Sequence, residues 1–403
     1  MSTDNKVPAI RFKGFSGEWV ENGLGGLADI VRGASPRPIE DPKWFDRNSN
    51  VGWLRIRDVT EQNGRIHYLE QRISRLGQEK TRVLFEQHLL LSIAASVGKP
   101  VINYVETGVH DGFLIFKKPR FDIEFMYQWL KSFELKWQQY GQPGSQVNLN
   151  SDIVKSQIVF TPLGKEQAQI GNYFQKLDSL INQHQQKHDK LSNIKKAMLE
   201  KMFPKPGATV PEIRFKGFSG DWEKVRLGDM VTCFSGGTPL VGVEEYYKGD
   251  IPFIRSAEIN KASTELTISE SGLKNSSAKI VEVGTVLYAL YGATSGEIGR
   301  AKLSGAINQA ILAIIPMAKM CPEFLSQWLR KSKSSIVSTY LQGGQGNLSS
   351  DIVKNLVLMS PTLEEQTAIG NTFQKLDALI NQHQQQITKL NNIKQACLSK
   401  MFV

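Results

Sequence analysis

Two histidines, His184 and His188, stand four residues apart, the spacing that lays two imidazoles on one helical face for a metal ion. The chain repeats itself, and the matching position of the second copy is Ile387. At most one half-site exists, so the histidines read as polar positions that fix register in a helical seam. Gly98-Lys99 starts like the end of a phosphate loop, but Pro100 follows where Ser or Thr would be needed. No GxxxxGKS/T, HExxH or GxSxG occurs, nor an Asn/Asp-Pro-Pro-aromatic run of the kind that holds a flipped base. Cys233, Cys321 and Cys397 lie far apart with no CxxC, which argues against a zinc ribbon and a disulfide framework; they read as buried and inert. No catalytic residue, metal site or cofactor site is expected in this chain.

What remains is the chemistry of recognition. Arg55, Arg57 and Arg255 offer forked donors for guanine or phosphate. Lys99 and Arg300 follow glycines after strand-like runs, a usual place for a phosphate contact. Gln146, Asn148, Gln345 and Asn347 sit in Gly/Ser-rich loops, where an amide reads adenine or bonds the backbone. Tyr291, Thr294, Ser295 and Glu297 belong to one polar loop, YGATSGE. The competing reading of each is a solvent-facing loop side chain, or a structural turn for the Asn and Gln. Trp129 and Trp328 lie in apolar helical runs and read as core rather than as base-stacking platforms. The net charge of +10 suits a polyanion, nucleic acid first.

The elements that must position these groups come from a duplication. PAIRFKGFSGEW at 8–19 returns as PEIRFKGFSGDW at 211–222, identical at 10 of 12 positions. Residues 151–203 return as 350–402, matching at 33 of 53 positions without a gap. Between these lie variable blocks with a shared skeleton. Gly33-Ala34-Ser35-Pro36 sits against Gly236-Gly237-Thr238-Pro239, WLRIRDV (53–59) against FIRSAEI (253–259), and MYQWLKS (126–132) against LSQWLRK (325–331). We read four segments: residues 1–150 and 211–349 as recognition domains, 151–210 as a helical spacer with a Pro/Gly linker at 204–210, and 350–403 as a second helical spacer.

In the repeated segments Ile170, Phe174, Leu177, Ile181, His184, His188 and Leu191 follow a 3.5-residue period, as do Ile369, Phe373, Leu376, Ile380, His383, Ile387 and Leu390. That is a coiled-coil seam. Thr161-Pro162 and Ser360-Pro361 place a capping residue ahead of a first-turn proline. Neither rod buries its seam alone. Pairing within the chain is the economical solution, pairing with another subunit the alternative. The first dodecamer has no helix before it, so residue 1 is expected near the end of the second rod, in a circular arrangement of approximate twofold symmetry. The fold class expected is α+β: two similar recognition domains joined by two long helices in an antiparallel coiled coil. No run approaches the roughly 18–20 apolar residues of a membrane span, and the start MSTDNKVPAIRFKG lacks an apolar signal core. The chain reads as cytoplasmic.

The repeated PxIRFxGFSGxW opening, GGTP (236–239) followed by YGATSGEIGRA (291–301) and INQAI (307–311), and the segment LEEQTAIGNTFQKLDALI together resemble the specificity subunits of type I restriction-modification enzymes. The resemblance covers nearly the whole chain. It implies that each variable block reads one half of a split double-stranded DNA target. It implies that the helices set the spacing and dock two methyltransferase (modification) subunits, and that restriction/translocase subunits join the complex. S-adenosylmethionine, ATP and Mg2+ would then belong to the partners. The first block departs from the pattern: GASP stands for GGTP, and GVHDGF (108–113) where INQA would be. The alternative is a coiled-coil adaptor that binds protein without reading DNA.

Overall fold

The computed structural model describes residues 6–94, 97–140, 149–341 and 347–403. Contacts divide the chain into Met1–Gln185 with Gln385–Val403, and Gln186–Gln384. Each unit therefore holds one head, the start of one long helix and the end of the other.

In the first unit, one sheet runs in the order Asp29–Arg32, Phe113–Lys117, Leu89–Ser92, Pro100–Asn103, Arg65–Ile66, and a second in the order Gly52–Leu54, Thr107–Val109, Arg82–Leu84. In the second unit the orders are Val231–Ser235, Ile311–Pro316, Val286–Ala289, Ile298–Arg300, and Leu266–Ile268, Tyr247–Ile254, Gly305–Ile307, Lys279–Val281. The shared part is the same. Both heads share one parallel pairing, Leu54 with Val109 and Ile254 with Ile307, and head 1 adds a second, Arg65 with Ile102. They differ by one added strand: Arg65–Ile66 extends the first sheet of head 1, Leu266–Ile268 the second sheet of head 2. The central strands LLLS and VLYA are buried at every position, which is why they read as continuous apolar runs rather than alternating ones.

The duplicated segments are helices of 38 residues, Gly164–Lys201 and Leu363–Lys400, each about 57 Å long at 1.5 Å per residue. They pack antiparallel in both units. In the first, Tyr173 meets Cys397 at 3.8 Å and Asp178 meets Lys394 at 2.6 Å; in the second, Lys195 meets Asp377 at 2.5 Å and the Phe203 and Phe373 rings lie 6.3 Å apart. All fourteen seam residues are buried or half-buried, so the period locates the covered face. The caps fall later than the sequence suggests. Thr161 and Ser360 end short strands paired with Val20–Gly23 and Glu223–Arg226. Glu365 N–H instead reaches the Thr362 hydroxyl at 3.4 Å, and Gln167 N–H reaches the Leu163 carbonyl. The ribbon claims the residue before each proline, which that proline already biases toward extended backbone.

The dodecamers have a physical explanation. Ile10 N–H donates to the Lys400 carbonyl at the end of the second long helix, and Ile213 N–H to the Lys201 carbonyl at the end of the first. The first dodecamer thus meets the helix that follows it by the whole length of the chain, as the circular arrangement requires. Arg11 donates to both Glu166 oxygens at 2.7 Å and to the Ser16 and Gly17 carbonyls; Arg214 does the same to Glu365, Ser219 and Gly220. Gly17 and Gly220 have φ of +82° and +79°, backbone that only glycine takes readily, and it turns their carbonyls onto the guanidinium. Trp19 and Trp222 seal each corner at 2% exposure. The neighbouring glutamines tie down the heads: Gln167 Oε1 accepts from Asp122 N–H, and Gln366 Oε1 from Cys321 N–H, both at 2.9 Å. Those residues open the head helices Ile123–Phe133 and Pro322–Leu341. A Cβ on Gly171 would sit 2.6 Å from the Asp122 carboxylate, and one on Gly370 2.7 Å from Glu323 Cβ, so both long helices keep a glycine where the head helix crosses closely. Among the described residues, no helix is long and apolar enough to cross a membrane.

Candidate nucleic-acid interface

Arg55 and Arg255 occupy equivalent places directly after the parallel strands, and both brace the turn that follows. The buried carboxylates of Asp58 and Glu258 accept from the arginine's own N–H and guanidinium. Further out, Arg55 and Arg57 share Glu70, and Arg255 pairs with Glu265. These carboxylates hold the Arg255 guanidinium above its already high range, Glu258 most strongly. The structure thus places Arg55 and Arg255 in intradomain ion pairs. Arg57 is exposed and also pairs with Glu61 at 3.0 Å.

Two of the second-block candidates contact the helix Pro322–Leu341. Arg300 reaches Glu323 at 3.1 Å, and Glu297 pairs with Lys333. Glu323 in turn lies against Gly370 of the long helix, so Arg300 sits on the side of its head that meets the helix. Its Nη1 is buried without a hydrogen-bond partner among the described residues. Ser295 is buried and donates to the Gly292 and Leu290 carbonyls, Thr294 lies 3.4 Å from the Tyr291 carbonyl, and Tyr291 packs half-buried on the core. Lys99 is half-buried after Gly98, whose φ is +83° and whose Cα leaves no room for a Cβ against Trp137. Asn347 is exposed. Gln146, Asn148 and Gln345 lie outside the described residues. Trp129 is buried and stacked on Phe133, and Trp328 packs against the core. His188 lies 3.1 Å from Asp189.

The GASP and GGTP loops, to which the sequence alone assigns no contact, hold a second set of polar groups. In both heads this loop leaves the first strand and crosses the end of the parallel pair. Ala34 N–H donates to the Val109 carbonyl and Gly237 N–H to the Ile307 carbonyl. A Cβ at Gly33 would stand 2.1 Å from the His110 carbonyl, and one at Gly236 1.8 Å from that of Ile307; only glycine passes. The next hydroxyl then meets the following loop: Ser35 donates to Asp111 Oδ1 at 2.8 Å, and Thr238 donates to Gln309 Oε1. Arg37 closes on Asp111 Oδ2 at 2.7 Å. Burial alone would raise the Asp111 carboxyl, but the Ser35 hydroxyl, His110, Arg37 and Arg32 outweigh it and hold it below the usual carboxylate range. Burial pushes His110 down, Arg37 and Arg32 adding to that and Asp111 opposing it. Its Nδ1 accepts from Gly112 N–H at 2.9 Å and lies 3.2 Å from Asp111 Oδ1. The signal that could have found these residues is the pairing of a repeated Gly-x-Ser/Thr-Pro with a polar residue two places after the strand it crosses.

The family described as type I restriction modification DNA specificity domain matches this chain twice, over residues 16–193 and 219–392. The type I restriction enzyme MjaVIII specificity subunit of Methanocaldococcus jannaschii is 27% identical over 199 residues, 49% of this chain and 43% of that protein. The MjaIX specificity subunit of the same organism is 28% identical over 194 residues, 45% of this chain and 44% of that protein. The matched stretches thus span less than half the length of these curated relatives. The S subunit of a type I restriction-modification system from M. genitalium has the same fold, with a TM-score of 0.65 at 14% identity over 98% of this chain and 99% of that one. With the specificity domain matched in both halves, this chain belongs to the type I restriction-modification DNA specificity family.

Proposed function

We propose that this chain is the DNA sequence-specificity subunit of a type I restriction-modification complex, each head reading one half of a bipartite, asymmetric duplex target. The observation that carries this reading is the contrast within the duplication: a shared core of strands and the same helix anchors support loops whose polar groups differ. One chassis with two reading edges suits two different words on one duplex. The long helices, at about 57 Å, are then the spacing device; half-sites one turn apart on one face of DNA lie about 34–36 Å from centre to centre. Their outer faces dock two methyltransferase subunits, and restriction/translocase subunits complete the assembly. Methyl transfer from S-adenosylmethionine and ATP- and Mg2+-dependent work reside in those partners, in the cytoplasm, and the chain contributes recognition. Selection from randomised duplex DNA with the full chain, alone and with modification subunits, tests this. A split motif of two unlike words is the expected result. Failure to enrich any motif in either form would favour a protein-binding adaptor, and methyl transfer by the chain alone would overturn the assignment of chemistry to its partners.

A further inference from the structure

The crossing loops hold polar groups in an order that an ordinary turn does not need. In head 1, Asp111 accepts from Ser35 and from Arg37, its own N–H donates back to the Ser35 hydroxyl at 3.1 Å, and Arg32 caps its carbonyl at 2.6 Å. Asp111 is thus fixed on both sides, while the Arg37 side chain it grips is 75% exposed. A carboxylate holding one edge of a guanidinium orients the rest of the fork, so that little order is lost when it meets a ligand. An exposed ion pair contributes little to stability, so the geometry is better explained by what Arg37 faces than by what it holds together.

Head 2 keeps the frame and changes the chemistry. Thr238 replaces Ser35, Gln309 replaces Asp111, and Leu240 replaces Arg37, with Val241 beside it. Thr238 and Gln309 are exposed, and Leu240 and Val241 are 69% and 80% exposed, two apolar side chains at the tip of a polar loop. The loop is tied down behind them, since the Tyr247 hydroxyl donates to the Pro239 carbonyl at 2.7 Å. The Thr238 hydroxyl sets the Gln309 amide with Oε1 toward it; that oxygen keeps a second lone pair and the nitrogen two donors. An amide so fixed matches the paired acceptor and donor of adenine, and apolar side chains match the thymine methyl, whereas a buttressed arginine matches guanine O6 and N7.

Resting on the proposed DNA-reading function, we infer that these crossing loops are base-reading elements: Arg37, buttressed by Asp111 and Ser35, selects a G·C pair in the half-site of head 1, and Gln309 with Leu240, set by Thr238, selects an A·T pair in that of head 2. Arg37 and Gln309 touch the bases, and Ser35, Asp111 and Thr238 position them.

The test is selection from randomised duplexes by the full chain, comparing the unaltered protein with Arg37→Leu, Arg37→Lys, Asp111→Asn and Gln309→Leu. Arg37→Leu is expected to relax one G·C position of one half-site, roughly ten- to a hundredfold in discrimination, and to leave the other half-site untouched. Arg37→Lys keeps the charge and loses the fork, so it should retain affinity yet lose much of the same discrimination. Asp111→Asn should weaken that same position less, and Gln309→Leu should relax an A·T position in the opposite half. Arg37, Leu240 and Gln309 are exposed, and an unchanged thermal midpoint certifies each fold. A split motif that all variants share would overturn the inference while leaving DNA reading intact. Weakening that is uniform across sequences would overturn it too, by reducing Arg37 to a phosphate contact. If the unaltered chain selects no motif, the proposed function itself falls, and this assignment with it.

Discussion

Arg11 grips Glu166 through two 2.7 Å bonds, and Arg214 grips Glu365 at 2.8 and 2.7 Å; yet Ser35 meets a carboxylate where Thr238 meets an amide. The anchors of the two units are copies of each other, and the crossing loops are not. The difference teaches which groups answer to the protein and which to something outside it. A buried charge pair is constrained by its own desolvation: Glu166 and Glu365 are each 1% exposed, and any change at one partner strands the other. The Asp111 side chain is 24% exposed, so a pair on this loop carries a smaller penalty and is freer to vary.

The comparison breaks most visibly at the clasps. Arg11→Ala leaves the Glu166 carboxylate buried and unpaired, which should cost about 3–5 kcal/mol, and Arg214→Ala should cost the same if the two clasps are equivalent. Chemical denaturation followed by helical circular dichroism measures both. The double change Arg11→Met with Glu166→Met should recover much of the loss, because no buried charge then remains. Unequal losses from the two single changes would mean that one clasp is redundant, and the duplication of anchors would lose its physical basis.

Gly33→Ala and Gly236→Ala come next. Each new methyl would stand 2.1 or 1.8 Å from a carbonyl oxygen, far inside van der Waals contact, and backbone must move, at about 1–3 kcal/mol. The loss of stability should be similar in the two heads because the crossing is the same. Its effect on selected DNA should be confined to a different half-site in each. A stability loss without any change in motif would separate the crossing from recognition.

Much of this was legible in the sequence. The 3.5-residue period located the covered helix faces, because a seam is a property of one helix and needs no knowledge of its partner. The alignment of WLRIRDV with FIRSAEI set Arg55 beside Arg255, and both indeed follow the parallel strand. What the alignment could not show is that an i,i+3 carboxylate would claim each guanidinium. Sequence spacing gives proximity along the chain and says nothing of burial, and burial of Asp58 and Glu258 at 3% and 2% is what ties those arginines inward. The Ser35–Asp111 and Thr238–Gln309 pairs were hidden for the opposite reason: 76 and 71 residues separate their members, and only the strand crossing brings them together.

The smallest effect expected is also the one that tests the closed arrangement most directly. Ile10 N–H bonds to the Lys400 carbonyl, and Phe125 and Phe174 pack on Phe402 with ring centroids 5.5 and 6.0 Å apart. The second unit makes the corresponding contacts along a continuous chain, where Ile213 N–H bonds to Lys201 and Phe203 lies between Phe324 and Phe373. The contacts at the two corners thus correspond residue for residue, whatever covalent link joins them. A circular permutant opened in 204–210, with the first and last residues joined by a short flexible linker, exchanges the roles of the two corners and keeps the residues that make the Lys201, Lys400, Phe203 and Phe402 contacts. Breaking a chain at an exposed turn and closing it elsewhere changes mainly loop entropy, which varies slowly with length, so the permutant should unfold within about 1 kcal/mol of the parent and select the same split motif. Should it fail to fold while a linear chain carrying the same added linker folds, the link at 204–210 would be doing something that Lys400 and Phe402 cannot supply for the first corner, and the equivalence of the two units would end there.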